Sequence, residues 1–209
     1  MSRRNRRRSN RRREITKVYC LLLEGQTERL YLEFLHNHEE PANKIIKLRP
    51  ELPGQLPLDK IEPTIRDYLS DDYDKVIWIV DVDTYSNSQK RLREFENIRK
   101  RIARRYRDKV KVLINLPCFE IWYLLHFKET SKSFRDCRTV VRELKKYGPM
   151  KSYKKTEKFY KSSPNIYLRL RPWLAKAIKR AQKLDKPTSG SRSQMYKIFK
   201  ILDIQISDC

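Results

Sequence analysis

Glycine is scarce in this chain: four in 209 residues, with no G-x-x-x-x-G-K-[ST] run. A loop that wraps nucleotide phosphates in backbone amides needs such glycines, so this chain is not expected to build one. There are only three histidines, and the four cysteines (Cys20, Cys118, Cys137, Cys209) form no C-x-x-C pair. That pattern supports neither a zinc ribbon nor a disulfide framework and suits a reducing, intracellular setting. No long apolar run is present either. Val18 to Leu23 stops at Glu24 and is too short for a signal-peptide core or a spanning helix. The expectation is a soluble, cytoplasmic protein with no membrane partner. No internal repeat occurs, and the length suits one well-buried domain with a small appendage.

Positive charge is abundant. The formal net charge of +23 is the footprint of a polyanionic partner such as nucleic acid. The opening MSRRNRRRSNRRR holds Arg3, Arg4, Arg6, Arg7, Arg8, Arg11, Arg12 and Arg13 and no acid; without these eight the rest still carries +15. Residues 1–14 lack apolar periodicity and read as a disordered arm whose arginines bind phosphates regardless of sequence. A merely solvated tail is the alternative.

From Lys17 short apolar runs alternate with helical periods. KVYCLLLEG reads as a buried strand. TERLYLEFLHNHE reads as a helix with Thr27 as N-cap and Leu30, Tyr31, Phe34 and Leu35 on one face. KIIKLRP is a more polar strand, and LDKIEPTIRDYLSDDY a helix weakened by Pro63. KVIWIVDVD, 75–83, is apolar without alternation, as a central parallel strand is. SNSQKRLREFENIRKRIARRY is amphipathic, with Leu92, Phe95, Ile98, Ile102 and Tyr106 on its apolar face. KVKVLINLP is the fourth strand, and CFEIWYLLHF a short helix buried against the sheet.

The class expected is therefore α/β: a mostly parallel four-stranded sheet flanked by helices, with a helical C-terminal part. Past Thr130 no strand is expected. SFRDCRTVVRELKKYG is a helix closed by Gly148, RPWLAKAIKRAQKL starts near Pro172, and SRSQMYKIFKIL is capped by Ser191 or Ser193. The organisation is an arm at 1–14, an α/β core at 15–130 and a basic helical extension at 131–209 packed on the core.

Open parallel sheets bind ligands beyond the carboxyl ends of their strands. Glu24 ends the first strand, Asp81 and Asp83 end the strongest, and Asn115 and Glu120 follow the last. In a strand, Asp81 and Asp83 project to one side. Carboxylates so gathered repel one another, and either a basic side chain or a cation must join them. Oxygen ligands in this number suit Mg²⁺, beside which a free carboxylate such as Glu24 acts as general acid/base in phosphodiester cleavage. Bland readings stand beside these. The D-V-D acids can be turn formers or partners of an arginine, Glu28 and Glu120 can serve helix dipoles, and His126 can be a satisfied core histidine.

LLLEGQTERLYLEFL, VIWIVDVD and INLPCFEIWYLLHF, in that order, resemble the RloB-like family of bacterial proteins. That pattern has an EG-x-x-TE turn, a D-x-D strand and an NPCFE-x-W-x-LLH segment. The resemblance runs from about Lys17 to Leu202, with one departure: Asn-Leu-Pro-Cys at 115–118 where the family reads Asn-Pro-Cys. The family is similar to Toprim domains, so the resemblance implies a Toprim-like, metal-dependent nuclease acting on RNA, including tRNA, or DNA in anti-phage defence. It implies Glu24 as general acid/base, Asp81 and Asp83 as ligands of Mg²⁺ or Mn²⁺, and Glu28 as an acid for an additional metal. Glu120 and His126 match the third motif as catalytic candidates. It also implies a partner ATPase of the ABC/AAA type. The competing expectation is a non-catalytic nucleic-acid-binding or sensor subunit.

Overall fold

The computed structural model describes residues 16–39, 41, 44–51, 54–186 and 190–206. The arginine-rich arm and its eight arginines lie outside the described residues.

Strands β1 (Lys17–Leu22), β2 (Lys44–Arg49), β3 (Lys75–Asp81) and β4 (Val110–Leu116) alternate with helices α1 (Gln26–His38), α2 (Leu58–Ser70) and α3 (Gln89–Tyr106). The sheet order is β2-β1-β3-β4, all parallel. From β1 the chain steps one way to β2, then passes back across to β3 and on to β4. Right-handed crossovers place the helix of the first step on one face and those of the later steps on the other. This is the arrangement observed. Leu30, Tyr31 and Leu35 of α1 pack with Tyr19, Leu21, Ile77 and Ile79. Ile61 and Ile65 of α2 and Phe95 and Ile102 of α3 pack with Cys20, Leu22, Val76, Trp78 and Val80. Val76 to Val80 are wholly buried because both faces of β3 are covered. The strand order reverses direction between β1 and β3, so the crevice for a ligand opens at their carboxyl ends.

Beyond β4 come α4 (Glu120–Phe127), α5 (Cys137–Leu144), α6 (Glu157–Lys161), α7 (Ile166–Leu170), α8 (Leu174–Leu184) and α9 (Tyr196–Leu202). Their buried residues join the cluster that covers the α1 face. No helix among the described residues is long and apolar enough to cross a membrane.

Several local expectations are corrected. A fifth strand, β5 (Arg192–Ser193), pairs antiparallel with β4, Asn115 opposite Ser193. The expected capping serine is therefore in the sheet, and α9 starts without a side-chain cap. Helix α1 is entered from Gly25, which has no side chain to cap it; Thr27 lies inside the helix, where its hydroxyl accepts from Tyr160 (3.2 Å). Helix α5 begins with a capping box at Asp136 and ends four residues before Gly148. Helix α2 continues through Pro63, anchored on either side of it by buried Ile61 and Ile65. Cys118 and Cys137 are joined in a disulfide, since the start of α5 returns to the β4–α4 junction.

Candidate active site

Glu24 lies two residues beyond β1, and Asp81 is the last residue of β3. Leu22 is opposite Trp78 in the register, so both acids leave the sheet at its switch point. With Glu28, Lys155 and Tyr160 they line a cleft of about 360 Å³.

Glu24 Oε1 accepts from Trp78 Nε1 (3.1 Å) and from the Tyr85 hydroxyl (2.9 Å). Its Oε2 is buried and meets no hydrogen-bond donor among the described residues. Burial pushes this carboxyl from 4.5 up to about 7, against the two hydrogen bonds, which favour the ionised form.

Glu28 stands in the first turn of α1 and is buried. Its Oε2 likewise has no partner among the described residues. Burial is again the main cause of a rise to about 7; its own backbone amide opposes that rise, and the charge of Glu120 adds to it. The Glu28 carboxylate occupies the space a side chain on residue 25 would need: a Cβ there would come within 2.3 Å of Glu28 Oε2. Gly25 has ordinary extended backbone (φ −130°), so the requirement is room, not conformation. Gly25→Ala is expected to push the Glu28 carboxylate, the far end of its side chain, toward the cleft and to cost about 1 kcal/mol. Adding Glu28→Ala should restore most of the loss in a urea-unfolding series; an unchanged midpoint for Gly25→Ala contradicts the packing described.

Asp81 is raised well above the usual carboxylate range by burial and then by Glu28 and Glu120, with the Phe119 backbone amide opposing. Asn115 Nδ2 donates to Asp81 Oδ1 (3.3 Å), and the Ser193 hydroxyl donates to Asn115 Oδ1 (2.7 Å). The extra leucine of Asn-Leu-Pro-Cys therefore leaves Asn115 aimed at the acids, with Leu116 paired to Arg192 at the end of β4.

Glu120 is wholly buried. Its Oε1 accepts from the Tyr153 hydroxyl (2.7 Å) and pairs with Lys155 Nζ (2.7 Å), while Oε2 lies 2.9 Å from Cys137 Sγ. Burial draws the Lys155 ammonium down, but Glu120, Asp81 and Glu28 outweigh it and the net shift is upward. The Tyr153 and Tyr160 hydroxyl oxygens are 2.7 Å apart, gathering Glu120, both tyrosines and Thr27 into one buried polar cluster.

The two aspartates do not share a side of the strand. β3 ends at Asp81, and the chain turns into a short 3-10 segment, Val82–Tyr85. That turn brings Tyr85 onto Glu24 and places Asp83 beside the disulfide, its carboxylate within 4.8 Å of both sulfurs. Burial raises Asp83 as well, with Lys155 opposing. Asp83 does not line the cleft that Asp81 shares with Glu24 and Glu28. Nor is His126 brought there. It is buried beside Trp122, with Nδ1 bonded to the Trp122 carbonyl (2.9 Å), and burial pushes its pKa down to about 4. It is a core histidine with one ring nitrogen unsatisfied, since its buried Nε2 meets no partner among the described residues.

Sequence reasoning did not find Trp78, Tyr85, Tyr153, Lys155 or Tyr160. One signal was available for Trp78, since an indole N–H in the middle of a fully buried strand needs an acceptor. Tyr85 is seated by the turn that ends β3, and the other three are set by distant chain returning to the cleft.

The family model described as RloB-like protein matches residues 19–202. No curated protein and no solved structure matches the chain.

Proposed function

The chain belongs to the RloB-like family, and from that premise we propose that it is a metal-dependent nuclease hydrolysing phosphodiester bonds of RNA or DNA. The observation that carries this reading is the pair of buried, partnerless carboxylate oxygens, Glu24 Oε2 and Glu28 Oε2, lining one cleft with Asp81. Buried acceptors without donors are rare in folded proteins unless something else satisfies them. Carboxylate oxygens are the hard donors that suit Mg²⁺ or Mn²⁺, but among the described residues the only three-ligand group with its atoms within 4.8 Å of one another is Asp83 with Cys118 and Cys137, so the cleft acids would have to draw together around an ion. Glu28 and Asp81 would hold the ion, leaving Glu24 Oε2 beside it for proton transfer. When bound, it would supply Lewis-acid polarisation of a phosphoryl oxygen.

The chain's own residues do the rest. Trp78 and Tyr85 hold Oε1 of Glu24, so Oε2 is the oxygen that exchanges a proton with water or the departing oxygen. A carboxyl near 7 is suited to both directions of that transfer at neutral pH. Asn115 orients Asp81, and Lys155 compensates Glu120 while presenting positive charge at the rim. Anti-phage defence and an ABC/AAA-type ATPase partner belong to the same proposal, ATP chemistry falling to the partner.

A second reading, a non-catalytic nucleic-acid-binding or sensor subunit, is favoured by the Lys155–Glu120 ion pair. That pair still leaves both carboxylate oxygens without a donor. The two readings separate when labelled tRNA, single-stranded RNA and duplex DNA are incubated with Mg²⁺ or Mn²⁺, against EDTA, Glu24→Gln and Asp81→Asn. The nuclease cuts at least one substrate, only with metal, and both variants are strongly impaired. Cleavage unchanged in both variants, or indifferent to EDTA, rejects it.

A further inference from the structure

A second cavity, about 480 Å³, opens beside the acid cleft. One wall is the α5 face carrying Cys137, Arg138, Val141 and Lys145; the other is Tyr153, Lys154 and Lys155. Among the described residues no acid lines it, although buried Glu120 pairs with Lys155 behind its wall and Arg138 feels the charge of Asp136 at the start of its own helix. All four cationic side chains are exposed, while Val141 and Tyr153 supply an apolar floor. Lys155 lines both cavities, and Tyr153, on this floor, donates to Glu120. The two cavities thus adjoin at one shared residue, Lys155.

We propose that this groove takes the sugar-phosphate backbone of a single-stranded nucleic acid flanking the bond at the acid cleft. The inference rests on the nuclease reading for its direction but not for its binding chemistry. Arg138 and Lys145 are seven residues apart on or at the end of a helix, on one face and roughly 10 Å apart along it. They therefore address separate phosphates, with Val141 between them for a sugar or base. A cavity of this size takes a nucleotide rather than a duplex. The acid cleft itself repels phosphates, so a neighbouring cationic groove is needed to hold the strand there.

The test uses the full chain in EDTA and a fluorescent 20-nucleotide oligo(U) or oligo(dT), with anisotropy followed across salt concentrations. Arg138→Glu/Lys145→Glu is compared with Arg93→Glu/Lys100→Glu. The latter makes the same charge change, also on exposed residues seven apart, on α3 at the opposite sheet face. The groove variant is expected to lose at least about tenfold in affinity and to flatten the log–log salt slope by about 1.4, two phosphate contacts at 0.7 each. The α3 variant should lose much less. Equal losses in the two variants, or none in the groove variant, overturn the proposal. Arg138→Gln/Lys145→Gln, the neutral pair, should fall between wild type and the reversal; binding equal to wild type in both groove variants overturns it too. Because no cleavage is read, groove-dependent binding without nuclease activity would reject the nuclease reading alone. Metal-dependent cleavage unaffected in the groove variants would reject the groove alone.

Discussion

Glu24→Gln should lower metal-dependent phosphodiester cleavage by about 100-fold or more, the usual range for a lost general acid/base. Glutamine retains a carbonyl oxygen where Oε1 accepts from Trp78 and Tyr85, so the side chain keeps its place. What it cannot do is exchange a proton at the second position, the one that meets no donor among the described residues. The variant also avoids the cost of ionising a buried acid and should fold at least as well as wild type at neutral pH. Loss of cleavage with an unchanged or raised melting temperature therefore separates chemistry from stability. Cleavage within threefold of wild type would remove Glu24 from the proton-transfer role.

The second large effect is a fall in stability with rising pH in the metal-free protein. In the unfolded chain a glutamate releases its proton near 4.5, whereas folded Glu24 and Glu28 hold theirs to about 7. Between those values the folded state binds more protons than the unfolded state, so stability drops as pH rises and levels off above about 7. Each displacement corresponds to about 3 kcal/mol, less for the partly exposed Glu24, and coupling between neighbours keeps the two from adding simply. For a chain of this size, 3 kcal/mol moves the melting temperature by roughly 6–12 °C. Glu24→Gln/Glu28→Gln should flatten the pH 5 to 7.5 limb and be the more stable protein at pH 8. Millimolar Mn²⁺ should stabilise wild type at pH 8 but neither wild type at pH 5 nor the double variant. Melting curves with the same pH profile in wild type and double variant would show that these carboxyls are not buried as described.

The elements legible from residues alone are those whose burial is written in an unbroken apolar run or a clear helical period. KVIWIVD must be covered on both faces, and Phe95 with Ile102 must face inward, because no other arrangement hides them. The acids Glu24 and Asp81 were legible by position, since strand ends at the switch point of a parallel sheet converge whatever the loops do. What was not legible depends on chain far away in sequence. β5 is two residues without hydrophobic alternation, and its pairing is decided by the free edge of β4 and the buried Asn115–Ser193 hydrogen bond. Asp83 reads as strand in D-V-D, yet the turn that seats Tyr85 on Glu24 ends the strand two residues earlier. Lys155 and Tyr160 reach the Glu28 end of α1 across more than 120 residues, and Cys137 meets Cys118 only because α5 folds back. His126 carries the same letters in either role, and its packing against Trp122 decides for the core.

The most direct measurement is anomalous diffraction from crystals soaked in Mn²⁺ near pH 8, where the carboxyls are ionised. The expected result is a peak in contact with the carboxylates of Glu28 and Asp81 and next to Glu24, absent from Glu24→Gln/Glu28→Gln crystals treated in the same way. A cleft without manganese, with the Lys155 ammonium moved in to bridge Glu24 and Asp81, would contradict it and leave the acids a structural role.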